Sequence, residues 1–232
     1  RTYRQVLLID PNNAEAMAEL ACSLALHHTR FIPDRALRQR LLGEARDLAI
    51  KAKSLNPNIP NLYVALSIYA KEVGDLEGWK RADETALSLD SKNPNKYGNL
   101  ASYFLAIGEP RKAIEQLTNG IRLDPRSLHE HMFVNMGSAH FMLGDDASAI
   151  EWSLKALDVN PTARSPHITL ALAYARNGDQ SKSREAVVAL RRIDPTFALS
   201  SWAAPPPTHP LAARRYWEST LVPAWRLAGL PE

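Results

Sequence analysis

The chain has one cysteine, Cys22, in 232 residues. No disulfide can form within it, and this usage fits a reducing compartment. Long apolar runs are also missing. The longest, such as Ile168 to Ala175, falls far short of the roughly 20 residues that a bilayer-spanning helix needs. No signal peptide opens the chain. It begins on Arg1 rather than Met, inside what reads as a helix, and is expected to be a piece of a longer protein preceded by at least one more helix. Neither sign of charge dominates: 28 Lys and Arg stand against 25 Asp and Glu, for a net charge of +3 and a pI of about 9.0. A nucleic-acid binder gathers its basic residues on one face, and this mild balance gives no sign of that. Neither a nucleic-acid nor a membrane partner is expected for this segment.

Chemical motifs are missing as well. There is no P-loop, GxGxxG, GxSxG or HExxH. His129, His131 and His140 are close in sequence, but residues two apart face different sides of a helix, and no His pair has the four-residue spacing of a zinc helix. No metal, cofactor or catalytic residue is expected. His140 and His167 read as packing rings, and Cys22, between Ala21 and Ser23, as a small buried residue.

With 45% hydrophobic and 23% charged residues, the chain should fold. Its organisation lies in repetition. Helix-ending signals recur at Pro11, Pro57, Ser91, Pro125, Pro161 and Pro195, spaced 46, 34, 34, 36 and 34. A second marker agrees: Gly74-Asp75, Gly108-Glu109, Gly144-Asp145 and Gly178-Asp179 are 34, 36 and 34 apart. Each period reads as two helices. Gly takes positive φ after the first, and Asp-Pro or Asn-Pro stops the second, because Pro cannot continue a helix and disfavours helical geometry before it.

A 34-residue helix pair resembles the tetratricopeptide repeat. Tyr97, Leu100, Ala101, Phe104, Ala113, Leu117, Gly120 and Pro125 fit its pattern best. Phe133, Met136, Gly137, His140, Ala149, Ser153, Ala156 and Pro161 repeat it, as do His167, Leu170, Ala171, Tyr174, Ser183, Val187, Leu190 and Pro195. Tyr63, Leu66, Ser67, Ala70, Trp79, Asp83 and Ala86 form a looser copy. The resemblance covers residues 1–197 and implies an all-α, right-handed αα superhelix, a solenoid closed by a C-terminal capping helix. The expected divisions are 1–13 (the end of a preceding repeat), 14–59, 60–93, 94–127, 128–163 and 164–197 (five repeats), then 198–232 (a Pro-rich linker and capping helix). Small residues at 101, 113, 137, 149 and 171 mark close helix crossings, and stacking buries the faces that one pair cannot.

The 14–59 unit is 12 residues too long. Its first helix is expected from Ala14 to Leu26, followed by a loop and a long helix from about Asp34 to Leu55, capped by Asp34, with Leu37, Leu41, Ala45, Leu48, Ala52 and Leu55 as its apolar stripe. Arg35, Arg38, Arg40 and Arg46 lie on its outer face, either solvated or forming a docking surface for an acidic partner or another domain of the parent chain. After the linker, Leu211 to Gly229 reads as a helix that Pro223 should break or kink. Trp202, Tyr216, Trp217, Leu221 and Trp225 serve there as a cap, a homodimer contact or a partner anchor.

The first helices of such an array line a groove. Residues between the packing positions point into it: Asn61, Val64, Ile68 and Lys71; Asn95, Asn99, Ser102 and Leu105; His131, Asn135, Ser138 and Phe141; Ser165, Thr169, Leu172 and Arg176. Their amides can pair with a peptide backbone. The groove is otherwise wet surface, or filled by the C-terminal tail. Some tetratricopeptide proteins grip the C-terminal carboxylate of a chaperone with Lys and Asn. Asn99 and Asn135 match two amide places, but Ala18, His131 and Thr169 stand at or near the basic ones, so a chaperone-tail adaptor is not expected. The long second helix, the stretch "DPRSLHEHMFVNMGSAHFMLGD" and the ending "RLAGLPE" resemble the repeat region of bacterial signalling proteins that carry a class III adenylate/guanylate cyclase or winged-helix domain. That likeness implies a cytoplasmic, non-catalytic interaction module for a protein or peptide partner, or an intramolecular or homodimerising regulatory region.

Overall fold

The computed structural model describes residues 2–30, 34–125, 130–198 and 210–230 and, within them, all side chains but those of 27–30 and 35. Trp202 and His129 lie outside the described residues. The regular structure described is helical throughout. In the first compact unit, Arg1–Lys96, α1 (Thr2–Ile9), α2 (Ala14–Arg30), α3 (Arg35–Leu55), α4 (Pro60–Val73) and α5 (Leu76–Leu89) follow in order. The division to the second unit, Tyr97–Glu232, falls within α6 (Pro94–Ala106). There α7 (Pro110–Leu123), α8 (Glu130–Leu143), α9 (Asp146–Val159), α10 (Arg164–Arg176) and α11 (Gln180–Ile193) complete the pairs. The tail forms α12 (Leu211–Tyr216), a π-helical turn (Trp217–Leu221) and α13 (Val222–Leu227). This is an all-α helix-pair solenoid fold, and no described helix is long and apolar enough to cross a membrane.

Local chemistry explains the breaks. Gly74, Gly108, Gly144 and Gly178 all take positive φ, from 76° to 83°, within two residues of the end of a first helix. Asp75, Asp145 and Asp179 then cap the second helices, each side chain accepting a backbone N–H three residues on. Asp34 caps α3 by accepting the N–H groups of Ala36 (2.8 Å) and Leu37 (3.2 Å).

Three sequence expectations change. First, α2 runs on to Arg30 instead of stopping near Leu26, because no helix breaker stands before Pro33. Second, the buried line of α3 is Leu42, Ala45, Ala49 and Ala52, while Leu55 is 46% exposed. The alanines let α3 approach its neighbours closely, so the seam follows small residues rather than the leucines. Third, Pro223 neither breaks nor ends the last helix. The Val222 N–H reaches back five residues to the Trp217 carbonyl, and the widened turn accommodates a residue that has no N–H and whose ring collides with the carbonyl four positions back.

The crossings within pairs are tight. Ala101, Ala113, Ala149 and Ala171 are wholly buried. At Gly137 an added Cβ would lie 2.7 Å from the Ser153 hydroxyl and 3.3 Å from the Ala149 carbonyl. In the next pair the Ser183 hydroxyl, fully buried, donates to the Ala171 carbonyl at 2.9 Å.

Two glycines in helices therefore predict opposite outcomes. Gly137→Val should destabilise the fold by about 1–3 kcal/mol through overpacking. Gly43 lies within α3 with nothing within 4 Å of its added Cβ, so Gly43→Ala should stabilise by roughly 0.5–1 kcal/mol. Urea unfolding of both variants checks the two signs.

Candidate functional site

In the first unit, the first-helix face carries a chain of polar contacts. Asn61 donates to Glu19 Oε1 (2.6 Å) and accepts from Lys96 Nζ (2.7 Å). Lys96 is only 4% exposed, and burial holds its ammonium below the ordinary lysine range. Burial likewise pushes the nearby Cys22 thiol up to about 11, which leaves it a protonated, unreactive core residue. The other expected groove residues of this unit divide. Ile68 is half-buried, Lys71 is exposed with its ammonium 5.2 Å from the Trp79 ring centre, and Val64 is buried in the core. Asn95 faces the turn that opens α6, its N–H donating to Asn93 Oδ1.

Lys96 was not among the residues singled out from the sequence, although a signal for it exists. The repeat spacing aligns it with Leu62, Met132 and Pro166, all buried. Asp83 breaks register in the same way, standing where the other pairs have Leu117, Ser153 and Val187. It is 1% exposed. Its Oδ2 accepts the Trp79 indole N–H at 2.8 Å, and its Oδ1 has no hydrogen-bond partner among the described residues. Burial pushes its carboxyl up to about 6, partly offset by the nearby Ser67 hydroxyl, the Trp79 N–H and the ammonium groups of Lys71 and Lys96.

In the second unit the expected groove is largely spoken for. Asn135 donates to the Gly98 carbonyl (3.2 Å) and the Ser102 hydroxyl (2.8 Å). The His131 ring lies against Gly98, where a Cβ would come within 2.3 Å of its Nε2. Asn99 and Ser138 are half-buried. Phe141, Thr169 and Leu172 are buried, and Phe141 and Leu172 share one apolar cluster with Leu221, Ala224 and Trp225 of the tail. Phe141 and Leu172 are core, not groove lining, because the chain's own C-terminal helices cover them. Arg176 is held too. Its guanidinium bonds both Asp146 oxygens and the Phe141 carbonyl, and stacks on the Phe141 ring at 4.0 Å.

The tail residues expected to form a cap or contact pack inward. Trp225 is wholly buried, 5.3 Å from the Phe197 ring. Leu221 is buried, and Tyr216 and Trp217 are partly buried against the same cluster. Burial raises the Tyr216 phenol well above its ordinary range, with Arg176 opposing the shift. The start of α12 reaches the turn after α6. Gly108 there has φ of 80°, and a Cβ on it would meet the Ala213 nitrogen at 2.8 Å. His140 and His167 bind loops instead of filling the core: His140 pairs with Asp145 at 3.0 Å and His167 reaches the Pro161 carbonyl at 3.2 Å. Among the described residues, no three His, Cys, Asp or Glu side chains converge as metal ligands.

Residues 130–162 match the tetratricopeptide repeat family model. Among solved structures, PilW, described as a widely conserved type IV pilus biogenesis factor, is similar at a TM-score of 0.66 and 12% identity, covering 79% of this chain and 80% of its own. Pseudomonas aeruginosa pilF is similar at 0.64 and 17% identity, covering 92% and 93%. YrrB, described as a TPR protein with an unusual peptide-binding site, is similar at 0.55 and 15% identity, covering 85% and 94%. At these identities the likeness establishes the helix-pair repeat fold. None of the three is described as an enzyme.

Two substitutions test the site's energetics. Trp225→Ala should cost about 3–5 kcal/mol in urea unfolding, as for a core aromatic; a cost below about 1 kcal/mol would mean the tail adds little to the fold. For Asp83, the raised native pKa means that the folded state keeps a proton the unfolded chain has lost between pH 4 and 6. Its contribution is therefore most favourable below pH 4 and declines as pH rises through 6. The wild type, relative to the uncharged isostere Asp83→Asn, should lose on the order of 3 kcal/mol between pH 4 and pH 7. Denaturation at both pH values measures that difference, and a constant value would show that Asp83 ionises freely in the fold.

Proposed function

We propose that this chain is a non-catalytic protein–protein interaction scaffold within a bacterial cytoplasmic signalling protein, holding segments of other proteins against its first-helix faces. The observation that carries this reading is the tail. In the second unit the first-helix face takes up an aromatic helix, with Trp225 fully buried, so this kind of face is built to hold one. The tetratricopeptide match over residues 130–162 and the similarity to YrrB, a TPR protein with an unusual peptide-binding site, support the same reading. A partner segment would use the first unit, where Ile68 and Lys71 present an apolar side chain and a cation beside the Glu19–Asn61–Lys96 contacts.

A second reading is favoured by the same occupied face: the repeats act within their own parent chain or as a homodimer, regulating an attached adenylate cyclase or winged-helix domain. Selection of a displayed peptide library on the full chain separates the two. The scaffold reading expects enriched peptides whose affinity drops about tenfold or more in Ile68→Glu. Enrichment indifferent to that change would remove the first-helix face from the proposal. Light scattering across a dilution series expects a 25.8 kDa monomer for the scaffold; a dimer that survives dilution would support the regulatory reading.

A further inference from the structure

A cleft of about 480 Å³ opens on the second-helix side of the first unit. One wall is α3, with Arg46, Ile50 and Lys53 on one helical face; the other is α5, with Arg81; Tyr63 and Tyr69 of α4 form its floor. The charge balance in it is uneven. Three cations line it against one carboxylate, Asp75, which is engaged in capping α5 through the Gly78 N–H at 2.8 Å. Arg46 is fixed in place by Asp47 (2.9 and 2.7 Å) and by the Tyr69 hydroxyl (3.1 Å). Lys53 stands over the Tyr63 ring at 5.5 Å. Neither Lys53 nor Arg81 has a carboxylate partner among the described residues. Elsewhere on the second helices, Lys80, Lys112, Lys155 and Lys182 each pair with an acid three or four residues away. Beside the unpaired cations, Ile50 is 53% exposed.

We infer that this cleft is a docking site for an acidic peptide segment of a partner protein. Its carboxylates sit between Lys53 and Arg81, and an apolar side chain lies on Ile50 above the tyrosine floor. The geometry selects peptide over nucleic acid. The basic wall from Arg46 to Lys53 spans seven residue steps of helix, about 10 Å, too short to track several phosphates. The tyrosine rings lie under the cations, with Tyr63 only 8% exposed, so no free face is offered for base stacking. The site is separate from the first-helix face, so either can fail without the other.

The test is a fluorescence-anisotropy titration of the full chain at low salt with a labelled, end-blocked octapeptide of alternating Glu and Leu. The same peptide with Gln for Glu, and an oligothymidine of equal charge, serve as comparison probes. Lys53→Glu/Arg81→Glu should weaken the Glu peptide about tenfold or more, as should added salt, while the double variant still unfolds in one cooperative transition because both side chains are exposed. Ile68→Glu should leave this affinity unchanged, which keeps the result independent of the first-helix face. The inference is overturned if the Glu peptide does not bind at millimolar concentration, if the Gln peptide binds equally well, if the double variant binds like wild type, or if oligothymidine binds as tightly.

Discussion

The close crossing of the two helices in each pair is the constraint on which the rest of the structure depends. At Gly137 there is room for a hydrogen and little more, because the Ser153 hydroxyl and the Ala149 carbonyl stand against it. At Ala171 the approach is close enough for Ser183 to bond the opposing carbonyl. Helices this close leave little apolar surface between them, so their larger side chains must be buried by the next pair. The 34-residue spacing, the positive-φ glycines and the capping aspartates all serve to bring each helix back onto its partner at that distance.

The repeat explains the pairs, and its exceptions mark where they differ. Asp83 and Lys96 occupy positions that are apolar or small in the other pairs, and each is buried. Their opposite charges attract one another, which eases but does not cancel the cost of removing them from water. Replacing a buried ionic group by a packed apolar one is often stabilising, so their presence sets this part of the chain apart from an idealised repeat.

Much of this was legible in the residues. The period, the glycine turns, the Asp34 cap and the small crossing residues are local signals, and local chemistry produces them. The groove was harder to read. Periodicity places Phe141 and Leu172 on the first-helix face, but only the placement of the tail residues Leu221, Ala224 and Trp225 decides that this face is covered. That placement depends on contacts between residues far apart in sequence. The Pro223 turn shows the same limit from the other side: proline's local preference is met by a π-helical turn, not by a helix end. Lys96 is hidden from the sequence because it stands at a position of the repeat that is normally core.

The contact between Gly108 and the start of α12 changes how the second unit can come apart. A simple stack of repeats is nearly one-dimensional, since each pair touches only its neighbours, and its ends can fray while the middle survives. Here the chain's last helices return to a turn more than a hundred residues earlier and tie the pairs between into a closed circuit. The terminal pair cannot peel away without also breaking the contact at the far end of that circuit. The arrangement couples local openings into one cooperative event, and a modular array acquires the all-or-none character of a globular domain.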